Sequence, residues 1–139
     1  MYNTGFHVTR LFPQIKNKIN NIDLLQLENS KLYSINPIAF LKEFGSIRIN
    51  FGRQSGHTTL ALKMMREYDD AILYVFKSSM ISSKYYNRTR TYKINNTNNR
   101  RNTAGCNKKI VIIDMASMVS KSFIYNIFLE QPKFVLLLG

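Results

Sequence analysis

The sequence has no tryptophan, one cysteine, two histidines and three prolines in 139 residues, and only eight acidic side chains against twenty basic ones. Each shortage removes a class of chemistry. A lone thiol, Cys106, cannot form an internal disulfide or a cysteine-built zinc site, so a reducing cytoplasm is the expected setting. Histidines only at 7 and 57, with few carboxylates, give no metal cluster of the usual spacing and no Ser-His-Asp or Cys-His arrangement. No apolar run reaches the ~18–20 residues that span a bilayer, and the three-part layout of a signal peptide is missing, so no membrane partner is expected. The shortage of acid leaves a formal net charge of +12 and a pI near 10.0. That excess implies an anionic partner: nucleic acid, nucleotide or acidic protein.

What is present is enough apolar material, 45% of the chain, for one domain with a real core. Residues 1–44 read as an arm followed by helices. Ile15, Ile19, Ile22 and Leu25 to Leu27 recur loosely at helical spacing between Asn-rich polar positions, and Asn36-Pro37 opens a clearer helix that Gly45 stops. From residue 45 to 139 the hydrophobic period switches repeatedly. Ile47–Phe51 reads as a strand and Thr58–Tyr68 as a helix whose buried face carries Ala61, Met64, Met65 and Tyr68. Continuous apolar runs at 71–76, 110–113 and 134–138 suit strands buried on both faces, and Ser117–Leu129 suits a helix. Buried strands alternating with helices predict a parallel α/β sheet with right-handed crossovers. Met64, Met65, Met115 and Met118 are expected in the core.

The stretch on which the chain centres is Gly52-Arg53-Gln54-Ser55-Gly56-His57-Thr58-Thr59. It lies between a strand and a helix, and its last glycine leads into a helix N-terminus, where free N–H groups and the helix dipole favour an anion. That is the layout of a phosphate-binding loop. The usual pattern, G-x-x-x-x-G-K-[ST], is departed from twice: Phe51 stands at the first glycine and His57 at the lysine. Ligands of open α/β sheets sit beyond the carboxyl ends of the strands. Asp114 closes the run Ile110–Ile113, so loop and carboxylate are expected to face one crevice. Thr58 would be the hydroxyl, and Asp114 the carboxylate, of a magnesium site that forms only with nucleotide.

These residues resemble the ATPase core of the large terminases of tailed phages, the motors that pump DNA into capsids. Arg53-Gln54 before the glycine is similar to the family's variant phosphate loop, x-R-Q-x-G-K-T-[TS]. Ile112-Ile113-Asp114-Met115-Ala116 is similar to its second acidic strand, h-h-D-E-A. The resemblance covers about residues 45–139 and implies a small P-loop NTPase-like fold that takes ATP and Mg²⁺. It also implies nucleotide contacts from Gly52, Arg53, Gln54, Ser55, Gly56, His57, Thr58, Thr59 and Asp114. Two departures fall on the chemistry. His57 replaces the lysine that bridges the phosphates, and Met115 replaces the glutamate that activates water. Hydrolysis is therefore expected to be deficient, since each lost group supplies several kcal/mol of transition-state stabilisation, roughly orders of magnitude in rate. Arg53 is a candidate to replace part of the lost charge. The family's coupling motif would begin where this chain stops.

One further stretch, about 78–109, carries basic residues without a single Asp or Glu. Lys84, Arg88, Arg90, Lys93, Arg100, Arg101, Lys108 and Lys109 can track a phosphate backbone, and Tyr85, Tyr86 and Tyr92 offer faces for base stacking. Its bland counterpart is a solvated insertion that follows the chain's overall charge bias. Part of it, Lys84–Ile94, suits a β-hairpin or an extra strand. Cys106 lies in this basic neighbourhood, reactive or a bystander.

The expectation is one reduced P-loop-like domain: a small viral or phage accessory protein, in the cytoplasm of the infected host, acting through nucleic acid in replication, transcription or packaging. Enzymatic activity is not the favoured outcome. Two alternatives stand beside it: an ATPase working on DNA as a homo-oligomer, and an interaction module that targets a host or viral protein.

Overall fold

The computed structural model describes residues 7–52, 55–76, 90–94 and 105–139. A 3-10 turn at Val8–Leu11 leads into α1 (Phe12–Asn20), α2 (Ile22–Glu28), α3 (Ser30–Ile35) and α4 (Pro37–Phe44). The sheet region follows as β1 (Ser46–Ile49), α5 (His57–Glu67), β2 (Ile72–Phe76), β3 (Thr91–Ile94), β4 (Ile110–Asp114), α6 (Lys121–Leu129) and β5 (Phe134–Leu138). All five strands join one sheet in the order β1-β5-β4-β2-β3, and every pairing is parallel. This is the helix-flanked α/β sheet that the alternating pattern predicts, compatible with a P-loop-like fold.

The strands separate two apolar layers by their two-residue period. Ile49, Leu73, Val75, Ile110, Ile112, Leu136 and Leu138 face α5 and the N-terminal segment, meeting Leu60, Ala61, Met64, Val8, Ile15 and Ile19. Their alternates Ile72, Tyr74, Ile94, Val111, Ile113, Val135 and Leu137 face α6 and α4, meeting Phe123, Ile127, Phe128 and Leu41. The inner strands β4 and β5 are buried at all five positions, as a sheet covered on both faces requires. From β1 to β2 the chain crosses by α5 on one face. From β4 to β5 it crosses by α6 on the other face, in the opposite direction along the sheet, so both crossovers have the same hand.

Caps fix where the helices start. The Asn36 side chain accepts the Ala39 N–H at 3.0 Å ahead of Pro37, and the Ser120 hydroxyl accepts the Phe123 N–H at 3.2 Å. Three local expectations shift, and one open alternative is decided. Val8, placed in a loose arm, is fully buried and its N–H donates to the Ser55 carbonyl at 2.8 Å, so the arm's end belongs to the core. The helix over 15–27 is broken at Asn21, where Asn-rich positions leave no continuous apolar stripe. The first strand stops at Ile49, and Phe51 is 57% exposed in the loop beyond it. Thr91–Ile94 pairs in parallel with β2, an extra edge strand and not the return arm of a hairpin. Among the described residues no helix is long and apolar enough to cross a membrane.

Candidate functional site

Register sets the geometry of the site. Ile49 pairs with Leu138, Leu138 with Asp114, and Asp114 with Val75, so the last residues of β1, β5 and β4 stand in one row with the penultimate residue of β2. Because β5 lies between β1 and β4, the loop after β1 and the carboxylate ending β4 are separated by two strand spacings, roughly 10 Å. Gly139 floors the gap: its N–H donates to the Ile49 carbonyl at 2.8 Å and its carbonyl accepts the Ser117 N–H at 2.9 Å. The cleft above holds about 500 Å³ and is lined by Gly52, Gly56, His57, Thr58, Asp114 and Met115, among others.

The loop is held by its own polar groups. Asn50 Oδ1 accepts the Gly52 N–H at 3.2 Å, Ser55 Oγ donates to the Phe51 carbonyl at 2.8 Å, and the Phe51 N–H donates to His57 Nε2 at 3.3 Å. Gly56 caps α5 with φ at +89°, a left-handed conformation that glycine adopts without strain. A Cβ there would also run into the ring of His7, which packs against the glycine. No side chain caps α5, and the first N–H groups of a helix have no acceptor within it. Those of His57, Thr58 and Thr59 begin the helix at the cleft wall. An anion there gains both hydrogen bonds and the helix dipole.

Across the cleft, Thr58 Oγ1 donates to Asp114 Oδ2 at 2.9 Å. The Met115 N–H donates to Asp114 Oδ1, also at 2.9 Å. Asp114 is only 2% exposed. Burial pushes its carboxyl above the usual range, against the Thr58 and Met115 hydrogen bonds and the His57 ring, which pull it down. His57 moves the opposite way. Burial lowers its pKa, Asp114 raises it, and His7 lowers it. With Nε2 accepting from Phe51, the ring is neutral near pH 7 and supplies no fixed cation.

Met115 follows Asp114 with φ at +58°, left-handed for a residue with a long side chain. It opens the 3-10 turn Ala116–Met118. Met118, expected in the core, is instead 56% exposed at the cleft, because the turn ends the strand before its side chain can point inward. The Thr58 hydroxyl and the Asp114 carboxylate could hold the water shell of a Mg²⁺, and the N–H groups that begin α5 could hold an anion beside it. Among the described residues no three His, Cys, Asp or Glu side chains gather for a metal held by protein alone.

Of the candidate loop residues, the structure brings Gly52, Gly56, His57, Thr58, Thr59 and Asp114 to the cleft, with Ser55 tying the loop behind it. Arg53 and Gln54 lie outside the described residues, as do Lys84, Tyr85, Tyr86, Arg88, Arg100 and Arg101, and the side chain of Lys93. Asn50, Ser117, Gly139 and the neighbouring His7 shape the site without having been singled out for it. Strand order alone brings Gly139 there, and no local pattern announces it.

The described basic residues lie elsewhere. Arg90 precedes β3, and its guanidinium donates to the carbonyls of Met65, Tyr68 and Ala71 at 2.9, 2.8 and 3.1 Å. Its charge closes the C-terminus of α5, a structural role. Tyr92 is exposed on the edge strand with its ring 5.6 Å from that of Tyr74. Lys108 and Lys109 precede β4, at the end of the sheet opposite the cleft. Cys106 is fully buried with its thiol 3.3 Å from the Tyr74 hydroxyl, and burial raises its pKa, so it is a packed bystander and not a nucleophile.

No protein-family model, curated protein or solved structure matches the chain.

Proposed function

We propose that the chain is a small phage or viral accessory protein that keeps a P-loop-like phosphate cleft without efficient hydrolysis. It acts through nucleic acid in replication, transcription or packaging. The 2.9 Å contact between Thr58 Oγ1 and Asp114 Oδ2 carries this reading. It joins two short motifs at the carboxyl ends of β1 and β4, where an α/β sheet takes its ligand. Descent from a terminase-type core is supported by the order of those motifs and by the Arg-Gln and Asp-x-Ala neighbours they carry.

If nucleotide binds, the N–H groups opening α5 would hold phosphate oxygens, while Thr58 and Asp114 would hold the water shell of a Mg²⁺. The metal would neutralise phosphate charge. Neutral His57 and apolar Met115 supply neither the bridging cation nor the base, which supports binding without turnover. The +12 net charge supports a nucleic-acid partner.

Fluorescence anisotropy with labelled single- and double-stranded DNA at low and moderate salt, run beside phosphate-release assays with and without DNA, tests the proposal. Salt-dependent binding is expected, with phosphate release no faster than in a Thr58→Ala control. Absence of salt-dependent binding sinks the nucleic-acid role. Thr58-dependent phosphate release would move the assignment to an active ATPase.

A further inference from the structure

Among the described residues three non-glycine positions have left-handed backbone: Met115, Lys108 and Gln131, with φ of 58°, 61° and 52°. All three line a cavity. Met115 lines the cleft above. Lys108 and Gln131 line a second one, of about 390 Å³, at the amino ends of β4 and β5. Left-handed backbone at residues with a Cβ is strained and gathers where side chains are needed in place.

The two positions are ones where glycine or asparagine would be unstrained. Lys108 is the third residue of a turn closed by the Lys109 N–H on the Cys106 carbonyl at 3.0 Å. Gln131 follows the C-cap of α6, and its N–H donates to the Phe128 carbonyl at 3.0 Å. The Lys108 N–H donates to the Gln131 carbonyl at 3.1 Å, so the two turns are stapled together. Long polar side chains stand where compact residues would relieve strain, and both border the same space.

The other walls complete a chemistry. Tyr33, 39% exposed, is held edge-to-face on buried Phe40 with ring centroids 5.2 Å apart, giving a fixed aromatic surface. Lys133 adds a second ammonium group, and Asp23 is the single carboxylate on the lining. Gln26 and Asn107 add amides, the latter steadied by donation from Nδ2 to the Glu130 carbonyl at 3.1 Å. An aromatic face, amides and a net positive charge in a space of ligand size suit a flat heterocycle joined to a phosphate.

We infer that this second cavity, at the sheet end opposite the cleft, takes one nucleotide unit of a single-stranded nucleic acid: the base against Tyr33, the phosphate at Lys108 and Lys133. The inference rests on the nucleic-acid part of the function proposed above.

The test is anisotropy of labelled single-stranded and double-stranded oligonucleotides with the whole protein, alongside thermal melting. Tyr33→Leu is expected to weaken single-strand binding about tenfold, the size of one lost stacked base. Lys108→Asn is expected to weaken it similarly and to reduce the salt slope by about 0.7–0.9, one phosphate contact. Its melting temperature should stay level or rise, because asparagine tolerates the left-handed turn; a folding defect would lower both. Wild-type affinity in both variants, or duplex bound as tightly as single strand, overturns the cavity assignment while leaving nucleic-acid binding standing. No binding by the wild-type protein overturns both.

Discussion

Replacing Thr58 by valine removes one hydroxyl and keeps the side chain's shape, so its effect isolates the contact on which the cleft is built. Thr58 Oγ1 donates to a carboxylate that is 2% exposed and has a second donor in the Met115 N–H. A hydrogen bond to a charged group contributes about 1.5–3 kcal/mol, and the partner left short of a donor is buried. Helix propensity changes little between threonine and valine. A loss of about 2 kcal/mol near neutral pH is expected, which lowers the melting temperature of a chain this size by roughly 6–8 °C. The loss must also depend on pH. Removing the donor raises the folded-state pKa of Asp114 beyond its already raised value. The variant's deficit is therefore fully present above that pKa and shrinks as pH falls through the raised range toward the usual carboxylate value. Urea melts of both proteins, near neutral pH and about pH 4, measure it. An equal deficit at both pH values, or none at either, would mean that the hydroxyl does not serve an ionised Asp114.

Two further outcomes follow from the same coordinates. His57 is held neutral in the fold, with burial lowering its pKa from 6.5, so unfolding takes up a proton once pH drops below that value. Its contribution to stability is complete above pH 6.5 and is lost as pH falls toward the lowered folded value; the stability of wild type should fall more steeply with pH than that of His57→Gln in that window and run parallel to it above 6.5, as urea melts across pH would measure. Arg90→Met removes three donations to the carbonyls ending α5 and should destabilise the fold by about 2–3 kcal/mol in urea melts. Because that guanidinium is already engaged, the salt slope of nucleic-acid binding in the folded variant should equal that of the wild type.

The inner strands were legible because burial on both faces leaves an unbroken apolar run: Ile110–Ile113 and Phe134–Leu138 cannot be polar on either side. Edge strand β3 was legible only as an alternative, an extra strand or a hairpin within Lys84–Ile94. In Thr91-Tyr92-Lys93-Ile94 Tyr92 is exposed and Ile94 is buried, so the segment carries no unbroken apolar run to fix its bounds or its partner. The meeting of Thr58 with Asp114 follows from a rule about carboxyl ends and needs no knowledge of strand order. What the order adds is β5 between them, and with it Gly139 as the floor of the cleft. The contacts of Arg90 were not legible, because an arginine in a basic run looks alike whether it meets a phosphate or the carbonyls at a helix's end. Only the path of the chain past α5 distinguishes the two. His7 had no local signal at all: its contact with Gly56 spans most of the N-terminal segment.

A parallel sheet separates its two ends as well as its two faces. Every strand delivers its carboxyl end to the cleft side and its amino end to the side of Lys108 and Gln131. Strand β4, five residues long, runs between the cavities and spans about 16 Å. A single nucleotide unit seated in one cavity therefore lies about one strand length from the other. The intervening strand is buried at every position and packed on both faces. The strain is distributed the same way: one left-handed residue beside Asp114, two at the far end, and none of the non-glycine kind elsewhere among the described residues. The proposed phosphate cleft and the proposed single-strand cavity thus fall on opposite ends of one sheet. Thr58→Val, which alters the cleft alone, is therefore expected to leave single-strand affinity at the proposed amino-end cavity unchanged in the anisotropy assay, and a loss of that affinity in the folded variant would refute the separation.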